Sequence, residues 1–286
     1  MSVEPAAAVP VLLLSVRDEY AGRRWAPPGH HWPAQPSAVG GLDLVAGGTW
    51  LAVEPSGAGS GPVAACLLNG FGTPAPQEGR LSRGGLPLFA ARGGRLDGLD
   101  LDRYDPFHLV AAGPAGARVL SWGGPGSRLA ELDLPTGLSV VLNDGPEGAA
   151  ENRTASERIR ALMAARAARF RARFEAVPRP DPRPGAGTAE QAWGGWLPVV
   201  AGDGLALDDP AALVQRREFG DGRIWGSSSI SLLALGGGDP GAGDVRYDFA
   251  AAPVAAGPGG AWQRVALWPP AREAPTGPAG RARSRS

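Results

Sequence analysis

Apolar positions fall into short runs cut by Gly and Pro turns near both ends of the chain, and into one long helical period in the middle. The short runs predict strands at about 9–16, 47–54, 62–69, 107–113 and 117–122, with further strands near 128–133, 138–143, 228–235, 244–250 and 262–267. Three pairs read as hairpins around "SGAGSG", "GPAG" and "GGGDPGAG". The last, 236–243, is glycine-rich, but it joins two strands and carries no lysine, so it reads as a turn and not a phosphate loop. From Asn152 to Glu175, residues Ile159, Leu162, Met163, Ala167, Phe170 and Phe174 recur at helical spacing, and Thr154 with Glu157 fits a capping box. Seven arginines lie between Arg153 and Arg173. The commoner use of such a face is the solvated side of a helix covering a sheet, and the rarer one an anion-binding or membrane-surface helix. "PRPDPRPGAG", 178–187, breaks the chain after this helix, and Asp209-Pro210 predicts the start of a short second one.

Strands, then a long helix, then strands do not alternate as βαβ units would. The pattern suits an α+β layered fold with largely antiparallel sheets. We expect a single domain over 1–269, with a Pro-rich excursion at about 176–190 and a disordered Arg-rich tail over 270–286.

Composition narrows the chemistry. All 28 basic residues are arginine and 28 residues are acidic, so the net charge is zero and no nucleic-acid partner is indicated. Without lysine, neither a P-loop nor a Schiff-base mechanism is possible. The longest apolar run, Val9–Val16, is far short of a membrane span. One cysteine, Cys66, excludes an internal disulfide and suits a reducing, cytoplasmic setting; it sits in an apolar strand and reads as an inert core thiol. His30-His31 has no Cys, Asp or Glu at ligand spacing, so we expect no metal and no cofactor.

The candidate site residues lie at strand ends. Val9–Val16 runs straight into Arg17, Asp18 and Glu19, and an extended backbone puts Arg17 and Glu19 on one side and Asp18 on the other. Charges there can aim an arginine at an anion, or merely anchor a loop by an internal ion pair. In "GGLDLVAGGTWLAV", 40–53, Gly47 and Gly48 suit a tight cradle beside a ligand, with Thr49 and Trp50 following. Paired glycines also serve any sharp strand entry, and Trp50 also suits a core. Asn143, at the exit of "VVLNDG", could donate to an oxyanion or simply form a turn, and Asn69 in "LLNGFG" is placed the same way. The serines of "GSSSISLLAL" do not match a nucleophile elbow.

Taken together, "VRDEY", "GGLDLVAGGTWLAV", "VAACLLN", "YDPFHLVAA", "SRGGLPL" and "LSVVLNDGPEG" resemble the NRDE family, the Transport and Golgi Organization protein 2-like proteins. Arg17, Asp18 and Glu19 match the motif for which that family is named, with Val16 in place of its Asn, and the likeness runs over most of 9–265. The resemblance implies an N-terminal-nucleophile-hydrolase-like αββα sandwich. It also implies a pocket binding or trafficking haem or an acyl-lipid type ligand, with Arg17, Asp18 and Asn143 as catalytic candidates. Glu19, Gly47, Gly48, Thr49, Trp50 and Asn69 are the ligand-binding candidates. Family members begin Met-Cys and then a hydrophobic strand. This chain begins Met1-Ser2-Val3-Glu4-Pro5, so we expect that strand and cysteine to be missing. Either the nucleophile is absent, or the start codon was assigned too late; the second reading is favoured. It keeps open a cysteine hydrolase of amide or thioester bonds with its nucleophile upstream.

Overall fold

The computed structural model describes residues 1–56, 61–148, 155–183, 187–237, 245–251 and 261–268. The chain enters as β1 (Ser2–Val3), reverses through residues 4–10, and returns antiparallel as β2 (Val11–Tyr20). β1 is only two residues long, too short to show as a hydrophobic run in the sequence. β2 also does not stop at Val16. It continues through the charged residues because β14, later in the chain, pairs with it as far as Tyr20.

β3 (Trp25–Gly29), β4 (Val39–Asp43), β5 (Leu51–Glu54) and β6 (Val63–Asn69) follow, then α1 (Leu86–Ala91). β7 (Phe107–Gly113), β8 (Gly116–Trp122) and β9 (Ala130–Asp133) complete an antiparallel seven-stranded sheet in the order β3-β4-β5-β6-β7-β8-β9. The expected strand at 138–143 is two pieces, β10 (Gly137–Leu138) and β11 (Val141–Leu142), the latter forming a small hairpin with β12 (Gly145–Pro146). α2 (Glu157–Glu175) starts at Ser156, whose hydroxyl accepts from the Ile159 amide at 3.3 Å; the predicted cap Thr154 lies outside the described residues.

α3 (Ala189–Trp193) and α4 (Trp196–Val200) follow, and no helix forms at Asp209. Its carboxylate accepts from the Ala211 amide at 2.8 Å and its carbonyl from Ala212 at 3.0 Å, which closes a turn instead. β13 (Arg216–Glu218), β14 (Ile224–Leu235), β15 (Val245–Ala251) and β16 (Gln263–Arg264) build the other sheet, in the order β10-β1-β2-β14-β15-β16 with β13 on β14. The loops around "SGAGSG" and "GGGDPGAG" and the 270–286 tail fall largely or wholly outside the described residues.

Strand alternation divides the core. Val11 and Leu13 of β2 meet Leu51, Val53, Cys66 and Val110 of the other sheet in the space between the two. Leu12 of β2, with Ile230 and Leu232 of β14, instead packs against Trp193, Trp196 and Val200 of α3 and α4. On the far side, Leu86 and Leu88 of α1 cover Ala65, Leu109 and Leu120. The protein is thus two largely antiparallel sheets packed face to face, with few helices on their outer faces.

Candidate functional site

The alternation that sorts the core also sorts the charges. Odd-numbered residues of β2 face the other sheet, so Ser15, Arg17 and Glu19 line the space between the sheets at its open end. Arg17 is only 8% exposed. Its Nη1 donates to Ser228 Oγ at 2.8 Å, its guanidinium lies 4.4 Å from the Trp50 ring centroid, and its Nη2 is 3.7 Å from Glu19. Ser228 reaches it because β14 carries a bulge between Ser227 and Ser229. Burial pulls the Arg17 pKa down, and Glu19 and Asp43 oppose that. Arg23 extends the chain of charge, 3.9 Å from Glu19 and 2.8 Å from Asp43. Burial would raise the Asp43 carboxylate, but amide bonds from Val45 and Ala46 and the bond from Arg23 outweigh it and hold it low.

Asp18 points the opposite way, toward α2. It accepts from Ser227 Oγ at 2.7 Å. Burial raises its pKa, against that bond and the charges of Arg166 and Arg217. Arg17 and Asp18 are adjacent in sequence and on different faces of one sheet, so their side chains do not act on one ligand atom.

The paired glycines meet another glycine pair. A Cβ on Gly48 would land on the Gly84 carbonyl carbon, and the Thr49 amide donates to Gly84 O at 2.8 Å. Gly47 has φ +74°, the left-handed region that glycine alone enters freely. The Thr49 hydroxyl bonds its own strand at Leu51 O, 2.9 Å. These residues lock two loops together and so set the position of Trp50 under Arg17. Trp50 also meets Trp25 edge-on, with centroids 5.9 Å apart.

Asn143 and Asn69, chosen separately from the sequence, come together: Asn143 Nδ2 donates to Asn69 O at 2.9 Å. One of the two N–H groups of the Asn143 amide is engaged in that bond. Sequence reasoning passed over His108, which shares the inner face of β7 with Val110; its Nδ1 lies 2.8 Å from Ser121 Oγ. Burial lowers its pKa, opposed by the Asn143 carbonyl. Its inward parity in "FHLV" was the available signal. Cys66 is buried, 3.3 Å from Ser15 Oγ, and burial pushes its thiol up to about 11. In the folded protein it is expected to resist iodoacetamide at pH 8 and to react only after denaturation; mass spectrometry of the labelled chain checks this.

Across the sheet edge, the β11–β12 hairpin and α2 enclose a cleft of about 410 Å³. Its walls are mostly apolar, from Val140, Leu142, Pro146, Met163 and Ala164, and its charged groups are Asp144, Glu147, Glu157 and Arg160. Arg160 Nη1 donates to Ala155 O at 2.8 Å, and Glu147 is held by Arg171. Burial raises the Asp144 carboxyl. Among the described residues, no cluster of three or more His, Cys, Asp or Glu could hold a metal, and no helix is long and apolar enough to cross a membrane.

Fold and site define an α+β protein of two antiparallel sheets, with an arginine stacked on tryptophan between them and an apolar cleft beside them. Residues 1–113 match the family Transport and Golgi organisation 2, so the chain carries a domain of that family over those residues. No curated protein matches the chain. The matched segment ends with β7 at Gly113 and includes Arg17, Asp18, Glu19, Gly47–Trp50 and Asn69; Asn143 and the cleft lie beyond it.

Proposed function

We propose that the protein binds a small apolar ligand of acyl type in the cleft between the β11–β12 hairpin and α2. The observation that carries this reading is the cleft itself, about 410 Å³ with apolar walls and a few charged groups, within the size range of small-molecule sites. Each methylene buried there contributes about 0.8 kcal/mol. Haem fits less well: of the usual axial ligands, only Met163 lines the cleft. Titration with a fluorescent fatty acid and with haemin separates the two. Saturable acyl binding is expected, weakened ~10-fold or more by Ala164→Trp, which fills the cleft. A stoichiometric haemin spectrum without acyl binding would transfer the reading to haem, and neither signal would end it.

A second reading is a hydrolase of amide or thioester bonds with an N-terminal-nucleophile-like sandwich. It is supported by the two stacked sheets with helices on their outer faces, and by Arg17 facing the space between them. Cys66, buried and with its thiol near pKa 11, is no nucleophile, so this reading needs a cysteine N-terminal to Met1. Turnover across a panel of acyl amides and thioesters tests it on the native product.

A further inference from the structure

The face of the first sheet turned away from the space between the sheets carries a second cluster of charge, and the strand register builds it. Asp18 of β2 lies opposite Ser227 of β14. Trp225, two residues before Ser227 and on the same face, lies opposite Arg217 of β13. Gln215 closes the row: its amide donates to Ser227 Oγ at 2.9 Å, and its carbonyl accepts from the Ser227 amide at 2.8 Å. Asp18, Ser227, Trp225 and Arg217 therefore stand together on one surface. Arg166 joins them from α2, where its Nη2 donates to Leu213 O at 2.7 Å, two residues before Gln215. It leaves the helix on a different flank from Arg160, Ala161 and Ala164, which line the cleft.

The charges of this cluster act on one another but do not close into pairs. Arg166 and Arg217 both pull on the Asp18 carboxylate, and they repel each other. Asp18 nevertheless accepts from Ser227 Oγ, and among the described residues no Asp or Glu forms an ion pair with either arginine. Arg166 is buried, and the bond to Leu213 O serves one of its five N–H groups. Arg217 donates no side-chain bond among the described residues, and the Nε of each arginine is buried without an acceptor. Two guanidinium groups against one carboxylate leave an excess of one positive charge, drawn partly out of water at a cost that a bound anion would offset. A guanidinium with free Nε–H and Nη–H groups presents the fork that fits the two oxygens of a carboxylate.

We propose that Arg166 and Arg217 together bind the carboxylate of a small organic acid on this outer face, with Trp225 beside it as an aromatic wall. One negative charge neutralises the cluster while Asp18 stays ionised. A dianion such as phosphate exceeds that balance and meets the Asp18 carboxylate. Arg17 takes no part, because it faces the other side of the sheet.

Calorimetric titration with sodium benzoate at neutral pH, beside inorganic phosphate at equal ionic strength, tests the proposal. One benzoate per chain is expected, with its affinity lowered ~10-fold or more by Arg166→Gln and by Arg217→Gln. Asp18→Asn keeps an acceptor for Ser227 and removes the competing anion, so it is expected to tighten binding ~3-fold or more. Arg217 is half-buried at the end of its sheet, so its variant decides the matter where Arg166→Gln fails to fold. Binding that Arg217→Gln leaves unchanged overturns the proposal, as does no binding up to ~10 mM benzoate. Phosphate bound more tightly than benzoate overturns the assignment to a carboxylate. Affinity unchanged or lowered in Asp18→Asn overturns the charge balance on which it rests. Benzoate has no alkyl chain to fill the cleft, whereas the effect of Ala164→Trp on the fluorescent fatty acid reads the cleft alone, so the two proposals stand or fall separately.

Discussion

Replacing Asp248 with alanine is expected to lower the unfolding free energy by about 3–5 kcal/mol, the largest effect of any single change outside the apolar core. Asp248 is 2% exposed and Arg246 is fully buried. The carboxylate accepts from Trp193 Nε1 at 2.7 Å, from Arg264 Nε at 3.1 Å, and from Arg246 through two nitrogens. Arg246 also donates to the carbonyls of Arg183, Gly187 and Thr188, so the ion pair ties the start of α3 and the segment before it onto β15. Removing the carboxylate leaves a guanidinium in the interior without its anion and an indole N–H without an acceptor. Asp248→Asn keeps an acceptor for Trp193 and separates the lost charge from the lost shape. Urea unfolding of both variants checks this; a cost below about 1 kcal/mol for the alanine variant would mean that the buried arginine is held well enough by its other partners.

The fold was most legible where short-range pattern and pairing agree. Phe107–Gly113 and Gly116–Trp122 are short apolar runs around a Gly-containing turn, and both strands form as predicted. β3 and β4 were invisible because "WAPPG" and "VGGLD" carry the residues that normally break strands. Their place in the sheet comes from neighbours, and from Gly41 leaving room for the Trp50 ring, where any Cβ would collide. β2 read as ending at Val16 because the hydroxyls of Ser227 and Ser228 that receive Asp18 and Arg17 lie about two hundred residues away. The same distance in sequence explains the site. The opposite facing of Arg17 and Asp18 followed from alternation alone, while the stacking of Arg17 on Trp50 needed two sheets to be assembled. The cleft depends on how a hairpin and a helix meet, and no motif marks that. The Asp248 cluster was missed for a related reason: arginine and aspartate two apart on a strand look like surface charge until the helix covering them is known.

The stability of the 1–286 chain is expected to rise by about 2–3 kcal/mol between pH 6 and pH 8.5, and the Met1 amine is the cause. In the unfolded chain this amine has a pKa near 8.0, and in the folded protein burial and Arg171 lower it to about 6. Between these values the unfolded state holds a proton that the folded state has released, so unfolding takes up a proton and stability grows with pH. Below about pH 6 both states are protonated and the full penalty is present; above about pH 8 neither is, and the penalty is gone. The gap between the two pKa values corresponds to about 3 kcal/mol. His108, also lowered by burial, acts with the same sign, but only as pH rises toward the ordinary histidine value of 6.5, so the interval from 6.5 to 8 isolates the amine. The measurement is the urea midpoint across that interval for a chain shown by mass to retain Met1, beside the same chain acetylated at its amine. Acetylation removes the charge, and every other titrating group cancels in the comparison. A slope that survives acetylation would place the titration elsewhere. Its disappearance would assign the titration to the Met1 amine.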